Sequence, residues 1–193
     1  MMRSKPDLMA MAMERDDMPF LFALWYNHDV MHYADEFPRF RGWSRIDEIQ
    51  EAWERYDEIH KELGNKYTQL IIKLPDGTRI GESFIAPLKE DQKLGEWQKP
   101  KGIVCLIGDI KLKPEFWGKG LASKAMREVV RFAFERASCG IFLVPPHKKN
   151  PAAIRVYEKA GFSPIVEKPP WVNHIFMTLT RQQYIRRYSK NQY

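Results

Sequence analysis

The apolar and polar positions of this chain change period repeatedly, and each change marks an element. Residues 7–13 (Asp7-Leu8-Met9-Ala10-Met11-Ala12-Met13) read as a first strand. Asp16 or Asp17 can then cap a helix with Pro19 in its first turn and Phe20, Leu21, Leu24 and Trp25 as its apolar face. Residues 27–43 show no period and read as irregular. An acidic, aromatic helix follows over about 44–63, with Ser44 and Glu48 at its start and Gly64-Asn65 stopping it. Alternation returns over 67–74 and 78–88, around Pro75-Asp76-Gly77, which predicts an antiparallel hairpin. Residues 89–101 are polar and long for a connection, a length usually tied to function or mobility.

The second half is more apolar. Residues 103–112 (Ile103-Val104-Cys105-Leu106-Ile107-Gly108-Asp109-Ile110-Lys111-Leu112) read as one strand buried on both faces, ended by Pro114. Ala122, Ala125, Met126, Val129, Phe132, Ala133 and Ala137 then recur at helical spacing. Gly140-Ile141-Phe142-Leu143-Val144 is a short buried strand. Asn150 as cap, Pro151 in the first turn and Gly161 after Ala160 delimit a helix over 151–160. Two last strands, 162–166 and 172–179, flank Lys168-Pro169-Pro170-Trp171, and a short basic helix spans 181–188. The order predicts one mixed α/β domain over 1–193, with about six or seven strands and helices on both faces.

Between the apolar strand and its helix lies Phe116-Trp117-Gly118-Lys119-Gly120-Leu121-Ala122. Glycines at 118 and 120 let the backbone approach an anion, and the first amides of the following helix have no carbonyl partner, so the turn suits a pyrophosphate. The spacing excludes a Walker loop, and the third glycine of a dinucleotide fingerprint is missing. Taken singly, the pair of glycines would only shape a turn. The helix after Asn150 adds a second signal, because Ala153 and Tyr157 share a face one turn apart and hold the phenol at a fixed distance from the helix start.

These two stretches resemble the GNAT superfamily of acetyl-CoA-dependent N-acetyltransferases, over about residues 67–180. The loop pattern R/Q-x-x-G-x-G/A is matched by residues 115–120, with Glu115 where the family has Arg or Gln. The later pattern N-x-x-A-x-x-x-Y-x-x-x-G-F is met in full by Asn150, Ala153, Tyr157, Gly161 and Phe162. The resemblance implies a GNAT fold with a splay between the fourth and fifth strands and an acetyl-CoA-binding core over about 103–162. Its cofactor contacts would be Ile110, Lys111, Leu112, Trp117, Gly118, Lys119, Gly120, Leu121, Ala122, Asn150 and Tyr157. The pantetheine arm would pair with the backbone of Ile110 and Leu112 like an added strand, placing the acyl carbonyl against an amide of that strand.

Within the superfamily the chain is similar to the aminoglycoside 6′-N-acetyltransferases and their siderophore-acetylating relatives. The similarity lies in Leu24-Trp25-Tyr26-Asn27-His28, Gly108-Asp109, residues 153–162 and residues 177–187. Pro145 stands where the resistance enzymes carry an aspartate, which removes one polyamine contact. The acceptor is therefore expected to be a small cationic amine, with a hydroxylamine or a protein N-terminus as alternatives. Acceptor-side elements are expected at about 20–65, 82–100 and the C-terminal strands.

Composition narrows the picture further. The chain is 44% hydrophobic and 13% aromatic, as for a globular domain, and carries a formal charge of +6. Its basic residues are dispersed apart from Lys148-Lys149 and the C-terminal arginines, and a polyanionic cofactor accounts for some of them, so no nucleic-acid partner is expected. Cys105 and Cys139 have no metal spacing and read as reduced. With no membrane-spanning run and no signal-type start, a cytoplasmic protein, monomer or homodimer, is expected. His28 and His32 beside Asp29 and Asp35 suggest a metal site only if a third spaced ligand exists, and no metal is expected.

The thioester is already activated, so catalysis needs alignment of an unprotonated amine, a proton acceptor and help for the departing thiolate. Asp109 is the candidate for acceptor orientation and base, or else a salt-bridged surface carboxylate. Tyr157 is the candidate proton donor to sulfur, as at the matched family position. Glu82, Glu96 and Trp97, with Asp109, are the candidate acceptor contacts, the acids supplying negative potential. A non-catalytic acyl-CoA-binding or nucleic-acid-binding module is the competing class.

Overall fold

The computed structural model describes residues 8–34, 49–63, 67–165 and 172–188. Strand β1 (Met9–Ala12) leads through a 3-10 turn (Arg15–Asp17) into helices α1 (Met18–Tyr26) and α2 (His28–Met31), and α3 follows at Ile49–Leu63. The hairpin is β2 (Thr68–Lys73) with β3 (Arg79–Pro87). A small hairpin, β4 (Lys93–Leu94) and β5 (Trp97–Gln98), precedes β6 (Cys105–Gly108) and β7 (Lys111–Leu112). Helix α4 (Leu121–Arg131) runs into a π turn (Phe132–Arg136). Then come β8 (Ile141–Val144), α5 (Pro151–Ala160), β9 (Ser163–Pro164), β10 (Met177–Thr180) and α6 (Arg181–Tyr188).

The main sheet has the order β1-β2-β3-β6-β8-β10-β9, with β7 also on β3, so the expected mixed sheet is present. Its pairs are antiparallel except β6 with β8, where Cys105, Leu106 and Ile107 lie opposite Ile141, Phe142 and Leu143. Side-chain alternation divides the core between the two faces. Leu70, Ile72, Ile80 and Leu106 pack with Ala125, Met126, Val129 and Phe134 beneath α4 and α5. On the other face Tyr67 and Ala86 meet Leu21, Leu24 and Trp25 of α1 and Ala52 and Tyr56 of α3. Fully burying side chains such as Phe134 and Phe142 contributes roughly 1.5–3 kcal/mol each.

Local differences from the sequence expectations have physical causes. The strand expected over 103–112 is split, because its ladder is interrupted at Asp109 and Ile110 while the register against β3 continues on either side. At Gly108 the backbone presses on β3 so closely that a Cβ would lie 2.3 Å from the Phe84 carbonyl oxygen. The Ser83 hydroxyl then donates to the Asp109 carbonyl at 2.5 Å in place of a ladder amide. Asp17 does not cap α1 with its side chain. Its buried carboxylate accepts from the Glu14 amide at 3.0 Å and pairs with Lys73 at 3.0 Å and Arg79 at 2.5 Å. Asn27 starts α2 inside the stretch expected to be irregular, accepting from the Val30 amide at 3.1 Å.

Residues 89–101 carry the β4–β5 hairpin, whose Leu94 and Trp97 pack with Cys105, Leu143 and Phe176 against the sheet. The strand expected over 172–179 is confined to Met177–Thr180, with an isolated bridge between His147 and His174 before it. The expected start of α3 at 44–48 and the Lys168–Trp171 turn lie outside the described residues. The C-terminal helix has a definite task. Arg187 donates to the Lys159 carbonyl and Tyr188 to the Ala160 carbonyl, each at 2.9 Å, satisfying the open end of α5.

Candidate active site

Past Ile107, β8 no longer pairs with the strand that continues toward Leu112, and the two lines of chain diverge. The divergence opens a cavity of about 1100 Å³ bounded by β6–β7, the starts of α4 and α5, the Pro145–His147 segment and α2. At one end lie Gly118, Gly120, Ala122 and Ser123. Both glycines are left-handed, at φ of 71° and 73°, and a Cβ on either would meet no atom within 4 Å, so the turn faces open space. Gly120 stands at the N-cap of α4 without any side-chain cap, which leaves the first amides of that helix aimed at the cavity's end. Arg155 and Lys159 of α5 add positive charge along the same wall. An anion followed by a thin, partly apolar arm fits this end.

Of the residues expected to hold that ligand, Ile110, Lys111, Leu112, Trp117, Gly118, Gly120, Ala122, Asn150 and Tyr157 all line the cavity. Lys119 and Leu121 do not; the Lys119 ammonium lies 5.7 Å from the centre of the Phe116 ring. Asn150 caps α5 through the Ala153 amide at 3.0 Å. The Leu112 carbonyl accepts from the Trp117 indole at 2.7 Å, which leaves it one lone pair for a pairing arm.

Where β6 gives way to β7 the ionisable groups gather. Asp109 lines the cavity, its side chain 20% exposed, and one of its oxygens is in contact with the Lys111 ammonium. Lys111 also reaches Glu82 at 3.1 Å. Glu82 is wholly buried, accepting from the Trp25 indole at 3.0 Å and from Gln69 at 2.5 Å, and it does not line the cavity. Gln69 is held in turn by the Tyr67 hydroxyl at 2.8 Å. Tyr157 is 3% exposed and hydrogen-bonded to the Ile110 backbone. Burial, and next to it the charge of Asp109, pushes its phenol well above the ordinary tyrosine range. Tyr157 therefore stays protonated at neutral pH.

Glu96 and Trp97 lie in the β4–β5 hairpin and do not line the cavity. The far wall is made instead of side chains with no motif to announce them: Asp29, His32, Tyr33, Phe84 and His147. Tyr33 donates to the Lys149 carbonyl at 3.1 Å and its ring lies 4.9 Å from that of His147. His147 accepts from the Lys149 amide at Nδ1, at 3.1 Å. His28, His32, Tyr33, His147 and His174 form a run of ring contacts here. Among the described residues no three metal-binding side chains converge.

A strand split at its midpoint, diverging from a parallel neighbour over a glycine turn at a helix N-terminus, defines an acyl-carrier-binding transferase fold. The family is shown directly: residues 8–163 match the model of the acetyltransferase (GNAT) domain, and the chain belongs to that family of acetyl-CoA-dependent N-acetyltransferases. Spermidine N(1)-acetyltransferase of Escherichia coli (strain K12) is 24% identical over 151 residues, 78% of this chain and 70% of that protein. The Vibrio cholerae enzyme of the same name is 24% identical over 177 residues, 92% of this chain and 89% of that protein. Among solved structures, the Vibrio cholerae spermidine N-acetyltransferase in complex with CoA and spermine aligns with a TM-score of 0.69 at 20% identity, covering 93% of this chain and 98% of that one. The aminoglycoside acetyltransferase AAC(6')-Ib in complex with coenzyme A and kanamycin aligns with a TM-score of 0.70 at 22% identity, over the same shares.

Proposed function

We propose that the chain acetylates a primary amine of a small cationic acceptor, with Asp109 holding the amine and Tyr157 protonating the departing sulfur. The observation that carries this reading is the meeting of these two groups in one cavity, where burial, and next to it the Asp109 charge, raises the Tyr157 phenol. Glu82 and Asp109 bring two negative charges against the one positive charge of Lys111, so the cluster carries a net negative charge that draws a polycation toward the cavity. The relatives that act on spermidine, and the solved complexes with spermine and kanamycin, support a polycationic amine as the acceptor class.

Acetyl-CoA, when bound, supplies the activated thioester; the glycine turn and the first turn of α4 would take its pyrophosphate, and Ile110 with Tyr157 would flank its reacting end. As the amine nitrogen forms its bond to the acyl carbon and the carbon–sulfur bond breaks, Tyr157 passes its hydroxyl proton to sulfur. The surplus proton on nitrogen restores the phenol through water. Asp109 fixes the nitrogen in line for attack, which removes much of the orientational cost of the encounter.

Calorimetric titration of the CoA-bound protein with amines of increasing charge, from a monoamine through spermidine to spermine and kanamycin, tests the acceptor class. Affinity should rise with acceptor charge, and the rise should flatten in Asp109→Asn. Affinity independent of charge would remove the cationic acceptor from the account.

A further inference from the structure

The Lys111 side chain is the odd member of this site. A site built only to hold an ammonium gains nothing from a cation beside its carboxylate, yet Lys111 touches Asp109 directly and is anchored from behind by Glu82 at 3.1 Å. Glu82 is fixed by the Trp25 indole and Gln69 and cannot turn away, so the ammonium of Lys111 is held in place, with its side chain only 7% exposed. A buried lysine would ordinarily be destabilising; here both of its neighbours are carboxylates, which makes the arrangement electrostatically sound.

We infer that Lys111 is a positioning residue whose fixed positive charge drives the amine held at Asp109 to shed its proton before attack. This rests on the assignment of Asp109 as the acceptor anchor. An ammonium docking at Asp109 comes close to a second cation whose side chain is largely buried, and like charges so placed repel. The neutral amine keeps its hydrogen bond to Asp109 and escapes the repulsion. The released proton leaves to bulk water, and the freed lone pair is the nucleophile. Lys111 thus trades some ground-state affinity for the cation against a larger reactive fraction of bound amine.

Of the other groups facing this cavity, Arg155 and Lys159 on the α5 wall are cations, and the acids and Tyr157 are not. Glu82 and Asp109 are acidic, and Tyr157 is buried and protonated. On α2 and just beyond it, Asp29, His32 and Tyr33 line the far wall, and His147 has Nδ1 committed to the Lys149 amide.

The test counts protons. Spermidine, and kanamycin in a second series, are titrated into the CoA-bound protein at pH 8 in buffers of different ionisation enthalpy, which gives the number of protons released per amine bound. Wild type should release a substantial fraction of a proton. Lys111→Met should release distinctly less, bind the amine about tenfold tighter and turn over about tenfold more slowly at neutral pH, its rate recovering about one pH unit higher, since one unit is tenfold in protonation. Lys111→Arg, which keeps the charge, should restore proton release. Equal proton release and an unmoved pH profile in Lys111→Met would overturn the inference. If that variant does not fold, wild type alone decides, because binding without proton release at pH 8 is incompatible with it. An Asp109→Asn variant that binds amines like wild type would instead remove the anchor on which the inference stands.

Discussion

The two ends of the cavity are built in opposite ways. At the end proposed for the cofactor the wall is the backbone of a glycine turn and a helix N-terminus, set by residues adjacent in the chain. At the end proposed for the acceptor the wall and its supports are side chains brought from far apart: Trp25 bonds Glu82 across 57 residues, Lys111 bonds Glu82 across 29, and Tyr33 bonds the Lys149 carbonyl across 116. A backbone site tolerates almost any side chain that leaves it open, whereas a side-chain site changes its chemistry with each substitution. One carrier can therefore be kept while acceptors differ among members of a fold.

The contrast is testable because the two ends should fail differently. The largest effect is expected at Gly120, whose φ of 73° is left-handed and where a Cβ would stand in open space at the end proposed for the pyrophosphate. Gly120→Asp adds backbone strain and a negative charge together, and should weaken acetyl-CoA binding at least about a hundredfold, or about 2.7 kcal/mol. Calorimetry with acetyl-CoA checks this, and undiminished affinity would relocate the pyrophosphate. Tyr157→Phe removes only a hydroxyl from a buried ring. It should lower kcat by about ten- to a hundredfold in steady-state assays while acetyl-CoA affinity stays put, as for loss of a general acid. Asp109→Asn, which keeps shape and loses charge, should raise the acceptor KM by about tenfold with a smaller change in kcat. Equal kinetic constants for this variant and wild type would detach the acceptor from Asp109.

Smaller effects come from buried groups whose proton affinity the fold shifts. Burial pushes the thiol of Cys139 up to about 12 and raises that of Cys105, so neither should react with a disulfide reagent at pH 8 until denaturant is added. Rapid modification of the native protein would contradict their burial. Burial also raises the phenols of Tyr157, Tyr184 and Tyr188, with Glu135 adding to the rise at Tyr184. The unfolded chain then loses thiol protons from about pH 8.5 and phenol protons from about pH 10 while the folded one keeps them, so the contribution of these groups should be flat below about pH 8.5 and fall above it. At the acid end, burial alone would raise Asp17. The Glu14 amide with Arg79 and Lys73 outweighs it and holds the carboxyl below its ordinary value. Its stabilisation should be lost as pH drops below about 4. Denaturation midpoints across both ranges measure these slopes.

How much could be read from the chain follows from the same contrast. The glycine turn and the two ends of α5 were legible because Gly118, Gly120, Asn150 and Gly161 are punctuation residues whose conformations follow from their own chemistry. Helix α5 and the β2–β3 hairpin are where local patterns put them. The split of the 103–112 strand was not legible, because it depends on how closely Gly108 approaches Phe84 of another strand. Glu82 carried an acceptor expectation, yet its alternation places it under the sheet beside Trp25, and only the packing of α1 reveals that. Tyr33 and His147 had no motif; their place on the cavity wall follows from α2 meeting the Pro145–His147 segment.

The most direct measurement is amine-dependent release of free thiol from acetyl-CoA by the purified protein, with the amine's acetylation confirmed by mass spectrometry. The account predicts thiol release that needs both substrates, yields one acetyl amide per thiol and collapses in Tyr157→Phe. Tight binding of acetyl-CoA with no thiol release for any cationic amine would contradict it.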